Sequence, residues 1–390
     1  MDVLHQGILA LVKSALTGTK TALPEGFLPE MADTCIREQS LLPLVLQGAY
    51  ICGLPMNTEQ MQQYQKQYFR ILHHSQLQLR ALKQVFAAFE ENGIDYLPLK
   101  GCILKEVYPQ PELRMMGDAD VLIRMEQYPQ ICRILEDLGF VPGKESHHEL
   151  PWNRKDLYLE LHKSLVPATE KEFYGFFGIG WQRAVLQQGH RYMLREEDTF
   201  LFLFAHMAKH YRWRGIGSRQ FLDLFVFRNA CPDMDEDYIE AGMERMHLLE
   251  FYRNTKKLLD VWFTDAAPDA KSDFMTEYIF SGGNWGLHEN SVYGAQLKMH
   301  SGGQSVRHTK RKELWDAVFP SLSRMRYRFP VLQKRLWLYP LFWPVRWLQL
   351  IFRTPHIILK KLRIVKNLND EKVQARRREL NYVGLDFYEE

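Results

Sequence analysis

The hydrophobic spacing of this chain changes at Gly93, and that change limits the fold more than any other feature. Before it, apolar residues recur at helical intervals, and Ile8, Leu9, Leu11, Val12, Ala15 and Leu16 trace one face of an N-terminal helix. A longer helix is expected to open at Asn57 or Thr58, with Gln60 placed for a capping box, and to run to about Asn92. Beyond Gly93, short apolar runs alternate with short helices. Residues 94–99 (IDYLPL) read as a strand whose Pro98 belongs at an edge or end. A short helix is expected over 101–108, a second strand over 118–123 (DADVLI), and a helix from Pro129 to Leu138 stopped by Gly139. Residues 157–162 (LYLELH) alternate like a half-buried strand. Strands separated by helices predict a small α/β unit. Helical spacing returns over 200–211, 221–228 and 237–263.

Composition narrows the class without naming a partner. Hydrophobic residues make up 46% of the 390, enough for a sizeable core, so wholesale disorder is excluded. The formal net charge is only +3, but residues 323–366 hold eleven Lys/Arg and no acid, leaving the remainder at about −8. Five scattered cysteines with no C-x-x-C pair argue against a zinc knuckle or a disulfide framework and favour a reducing compartment. The N-terminus carries Asp2 where a signal peptide needs positive charge, and no uncharged apolar run reaches the ~18–20 residues of a membrane span. A cytoplasmic location is expected.

The chemistry concentrates in Leu99-Lys100-Gly101, Arg114 and Asp118-Ala119-Asp120. Side chains two apart on a strand share a face, so Asp118 and Asp120 project together. Two carboxylates this close repel, and a divalent cation between them resolves the conflict. Mg²⁺ is commonly held by one or two carboxylates plus substrate phosphates, which suits phosphoryl or nucleotidyl transfer. The same spacing at Asp233 and Asp235 sits in an apparent loop entering a helix and reads as helix N-terminal charge. Glu160 lies on the strand over 157–162 between Leu159 and Leu161, sharing a face with Tyr158 and His162. There it could serve as third metal ligand or as base.

The order Leu99-Lys100-Gly101, Tyr108, Arg114, Asp118-Ala119-Asp120, a helix, Glu160-Leu161-His162 and a His-rich helix resembles the uncharacterised nucleotidyltransferase family of the DNA polymerase beta-like superfamily. The resemblance is closest over about residues 93–230. It implies an α+β, mostly helical protein with a small mixed-sheet nucleotidyltransferase core flanked by N-terminal and C-terminal helical regions. The expected division is a helical region over 1–92, the core over 93–165, a helical nucleotide-closing domain over 166–320 and a basic, Trp-rich tail over 321–390. By the resemblance, Asp118 and Asp120 would bind Mg²⁺ (or Mn²⁺), Glu160 would be the third carboxylate, and Lys100-Gly101 would form the turn holding the phosphates of a nucleoside triphosphate. Arg114 would contact the triphosphate or pair with the acids. Lys209, His210 and Arg219 would supply cations from the helical domain, with Asp223 orienting one of them. The sequence departs from the superfamily pattern at Cys102, where Ser or Gly is usual, and in its long spacer before Asp118.

Other motifs have plainer readings. His206 and His210 share a helical face, but the Glu of a zinc protease helix is missing. His147-His148-Glu149 reads as a solvated loop. The tail over 324–366, with Trp337, Trp343 and Trp347 among its cations, reads first as a terminal helical piece packing Trp and Leu into the core, next as binding an anionic membrane surface, and less readily as binding nucleic acid. The expected activity is metal-dependent transfer of an NMP from an NTP to an unidentified acceptor hydroxyl or phosphate. The alternatives are a non-catalytic nucleotide-binding member, or a membrane-surface scaffold acting through its tail.

Overall fold

A computed structural model describes residues 1–55, 58–146, 148–264, 266–283, 325, 329, 331, 336–353 and 370–386. Its helices are α1 (Val3–Thr17), α2 (Asp33–Glu38), α3 (Leu42–Cys52), α4 (Glu59–Glu91), α5 (Gly101–Val107), α6 (Tyr128–Asp137), α7 (Lys171–Phe177), α8 (Glu196–Trp213), α9 (Ser218–Ala230), α10 (Glu236–Arg245), α11 (Leu249–Phe263) and α12 (Ala270–Ser281). Further helices span Phe342–Arg353 and Asp370–Tyr382. The strands are β1 (Tyr96–Leu99), β2 (Ala119–Ile123), β3 (Val141–Pro142), β4 (Glu149–Arg154), β5 (Leu157–His162), β6 (Ala184–Gln188) and β7 (Arg191–Leu194). The fold is therefore α+β with one mixed sheet, as expected.

The chain forms two compact units, one of Met1–His210 with Ile216–Gly286 and the other of Tyr211–Gly215 with Leu287–Glu390. Among the described residues, all strands lie in the first, in the order β3-β4-β5-β2-β1-β7-β6. Pro98 sits one residue from the end of β1, which is an interior strand rather than an edge. It is tolerated because β1 pairs with β2 along its length but with β7 only at Tyr96 opposite Arg191, so the missing N–H faces no ladder. One sheet face carries Ala119, Val121, Ile123, Leu159 and Leu161, which join Val85 and Phe89 of α4 and Ile131 and Leu135 of α6 in one core. Burying each aliphatic side chain there contributes about 1.5–3 kcal/mol. The N-terminal helix buries the predicted stripe against α3, where Gly48 lies so close to the Leu11 backbone that any side chain would collide with it.

Three local expectations are corrected. Thr58 is the N-cap of α4 and accepts from Met61 N–H, so Gln60 is one residue early for a capping box and donates instead to Asp33. The helix expected over 237–263 is broken between α10 and α11, where His247 takes φ +56°. The tail reading over 324–366 falls largely outside the described residues. Within them, Trp337, Leu341 and Val345 are exposed, and no helix among the described residues is long and apolar enough to cross a membrane.

Candidate active site

Three adjacent strands gather the charged residues. β1 runs antiparallel to β2 with Leu99 opposite Asp120, and β2 runs parallel to β5 with Asp120 opposite Glu160 and Leu122 opposite His162. Alternation then sorts the faces: Ala119, Val121, Leu159 and Leu161 enter the core, while Asp120, Glu160 and His162 turn to the other side. Ligand atoms of Asp120, Glu160 and His162 lie within 4.8 Å of one another. Asp118, just before β2, is exposed and is not one of these three.

Asp120 is 2% exposed and its Oδ1 accepts from two donors, Lys100 Nζ at 2.7 Å and His162 Nε2 at 2.7 Å. Burial alone would raise its carboxyl, but Lys100 and His162 reverse that and hold it well below the usual carboxylate range. Burial would likewise lower the Lys100 ammonium, and the charges of Asp120, Asp118 and Glu160 keep it raised instead. Lys100 reaches Asp120 from a turn with φ +42° and ψ −113°. A non-glycine residue in that region costs of order 1–3 kcal/mol, so the surrounding structure must impose it. Gly101, next in the chain, is buried, and a side chain there would press on Met116 and on Arg114 Nη1 at 3.0–3.1 Å. Cys102 is packed in the core, and burial followed by the charge of Asp120 pushes its thiol up.

The remaining carboxylates are not balanced. Protein packed behind Asp118, together with the charge of Asp120, raises its carboxyl although one side faces solvent. Glu160 is pushed up to about 7 by burial, then by Asp120, Asp118 and Glu149. Lys100 offsets only part of this repulsion. Two carboxylates and an imidazole with converging ligand atoms, in a field that leaves one acid unable to ionise readily, fit a divalent cation.

The helical residues divide. Lys209 and Lys100 act on His148, whose ring falls to about 3 through burial, His162 and these cations, so α8 faces the site. His206 is held well below its ordinary value by burial and then Lys100, and its ring lies 4.5 Å from that of His210. Arg219 donates to the Met115 carbonyl at 3.3 Å, and its Nε is buried with no hydrogen-bond partner among the described residues. Burial, then Arg114, lowers its guanidinium to about 10, while Asp223 and Asp118 act the other way.

Asp223 acts on Arg219 through its charge. It accepts from Arg114 Nη2 at 2.9 Å and Nε at 3.2 Å, and from Tyr108 OH at 2.9 Å. Arg114 is thus paired with an acid from α9 rather than with the aspartates of β2. The largest omission from sequence reasoning is His148. It is 9% exposed rather than solvated, and its Nε2 meets His162 Nδ1 at 3.2 Å. Only the shared face of Glu160 and His162 hinted at this imidazole pair.

Residues 29–264 match the sequence profile of a family described as uncharacterised nucleotidyltransferase. No curated protein matches the chain. Among solved structures, the antibiotic-resistance factor ANT(2'')-Ia is similar at 14% identity and a TM-score of 0.31, over 47% of this chain and 94% of that one. The Megavirus polyadenylate synthase is similar at 14% identity and a TM-score of 0.28, over 55% of this chain and 40% of the synthase.

Proposed function

This chain belongs to the uncharacterised nucleotidyltransferase family, and from that premise we propose that it moves an NMP from an NTP to an acceptor hydroxyl or phosphate, releasing pyrophosphate, with Asp118, Asp120 and Glu160 at the reacting phosphate. One observation carries the reading: strand register sets Asp120 beside Glu160 while burial, then neighbouring acids, hold Glu160 up to about 7. A divalent cation, Mg²⁺ or Mn²⁺, held by these carboxylates supplies positive charge to phosphate oxygens as the acceptor displaces the leaving group in line. Lys100, fixed on Asp120, and Gly101 face the phosphates from the β1–α5 turn. Lys209, His210 and Arg219 bring cations from the helical side, and the unpartnered Nε of Arg219 suits a phosphate oxygen. Arg114 and Asp223 hold the turn before β2 in place. Glu160 is the third carboxylate, holding the cation or taking the acceptor's proton. The described helices α9 to α12 close over the nucleotide, and five cysteines without a disulfide fit a cytoplasmic protein.

The test offers four labelled NTPs with Mg²⁺ or Mn²⁺ to cell extract and follows label and pyrophosphate. Label passing from one NTP to an acceptor, with stoichiometric pyrophosphate and none from Asp118→Asn, is the expected result. Full activity in Asp118→Asn would remove this site from the reaction.

A second reading is a member that binds a nucleotide such as ATP without turning it over. The buried Cys102 in place of a phosphate-turn hydroxyl favours it. Its signature is thermal stabilisation by ATP with Mg²⁺ and no pyrophosphate.

A further inference from the structure

His162 ends a buried run of hydrogen bonds whose direction can be worked out atom by atom. Ser164 Oγ lies 2.8 Å from the Val166 carbonyl oxygen and donates its single proton there. The same hydroxyl meets His148 Nδ1 at 3.2 Å; with its proton already committed it accepts, so His148 Nδ1 carries a hydrogen. The two ring nitrogens of His148 face a hydroxyl and another imidazole, never a carboxylate that would hold a second proton. His148 is therefore neutral, with its lone pair on Nε2. That lone pair meets His162 Nδ1 at 3.2 Å, so His162 Nδ1 is the donor. The hydrogen stays on Nδ1 whatever happens at the other nitrogen. Only Nε2 of His162 can face a cation; it now donates to Asp120 Oδ1 at 2.7 Å and would release that proton to solvent as a cation takes its lone pair.

We propose that His162, through Nε2, is a ligand of the cation held by Asp120 and Glu160, and that His148 and Ser164 are positioning residues that fix its tautomer and ring direction. The proposal rests on the cation site described above and deepens it, since it specifies a mixed nitrogen and oxygen donor set. Ligating histidines are usually oriented by a hydrogen bond from the second ring nitrogen, and these outer partners are worth about 10–100-fold in metal affinity. Here the outer partners are His148 and Ser164, each 9% exposed. An imidazole ligand favours Mn²⁺, Co²⁺ or Zn²⁺ over Mg²⁺, which prefers oxygen alone. Lys100 shares Oδ1 of Asp120, so an entering cation competes with the ammonium for that atom.

The experiment titrates the full-length protein with Mn²⁺, reads affinity from the loss of the free-ion electron paramagnetic resonance signal, and looks for ¹⁴N coupling by pulsed measurement on the bound ion. The expected result is ¹⁴N coupling in the wild type, its loss in His162→Gln and its retention in His206→Gln. Ser164→Ala should weaken Mn²⁺ binding about tenfold, with Ser164→Thr restoring it and Mg²⁺ affinity changing little. Should His162→Gln fail to fold, ¹⁵N-histidine labelling of the wild type still decides, because the coupling then changes to that of ¹⁵N. Bound Mn²⁺ without nitrogen coupling overturns the His162 assignment and leaves the carboxylate site standing. Failure of the wild type to bind Mn²⁺ at all overturns both.

Discussion

Two buried charge clusters lie a few residues apart in this fold, and they are built on opposite principles. Around Asp223, one guanidinium meets one carboxylate through two hydrogen bonds, and the Tyr108 hydroxyl adds a third donor. Within that pair, charge and hydrogen bonding match. Around Asp120, the acids Asp118, Glu160 and Glu149 crowd one ammonium and one imidazole, and Glu160 remains raised to about 7. A closed pair holds structure; an over-acidic cluster is arranged for something positive to arrive. Mutations should separate the two.

Asp120→Asn should have the largest effect because Asp120 belongs to both categories. Removing its charge strands Lys100 and His162, at a cost of about 3–5 kcal/mol as for other broken buried pairs, and transfer should fall about a thousandfold. Urea unfolding with parallel pyrophosphate release would measure both, and a fully stable, active variant would erase the distinction between clusters. Asp223→Ala should cost a similar 3–5 kcal/mol in urea, now by orphaning Arg114. Its residual activity should track the folded fraction. Asp118→Asn should do the reverse, with transfer down about a hundredfold, close to 3 kcal/mol of barrier, and a melting temperature that barely moves because the residue is exposed.

Two pH experiments probe smaller effects. The folded Glu160 carboxyl titrates near 7, above its unfolded value of about 4.5, so the native state binds the extra proton in that window. In chelator, the contribution of Glu160 should fall as pH rises from about 4.5 to 7 and level off above; Glu160→Gln should flatten this segment of the stability profile. Glu236 is the contrasting case. Although burial raises it, Lys256, Arg228 and Tyr252 together depress its carboxyl to about 2. Its contribution is present above about pH 4.5 and lost as pH falls towards 2, so Glu236→Gln should differ from wild type only above that loss, by a few tenths of a kcal/mol for such a partly exposed pair. Acid titration followed by circular dichroism would show it.

What could be read from the sequence was what local periodicity encodes. Alternation in LYLELH placed β5 over 157–162 and set Glu160 and His162 on one face, and the DADVLI run placed β2 to within one residue. The reading of Asp235 as charge at a helix start was likewise local, and the residue is the N-cap of α10, its side chain accepting from Tyr238 N–H. What could not be read was longer-ranged. The strand β4 contains Pro151 and lacks alternation, so His148 at its start looked like loop; only pairing with β5 brings it to His162. The strand β6 is mostly exposed, so its residues carry no burial pattern to recognise. Arg114 and Asp223 are 109 residues apart, and no spacing rule links them. The break at His247 has no glycine to announce it.

The parallel pairing of β2 with β5 has a consequence for how such a centre can change over time. Asp120 and Glu160 meet by ladder position and not by the length of chain joining them. The crossover between the two strands can therefore drift, gain turns or lose them while both acids keep their places. Deleting one residue inside β5 is another matter: every later side chain would swap faces, sending Leu161 towards the charges and one of the acid partners into oil. Variation in this family should accumulate in the surface loops around α6 and β3 and be nearly forbidden at the paired ladder positions and at His148.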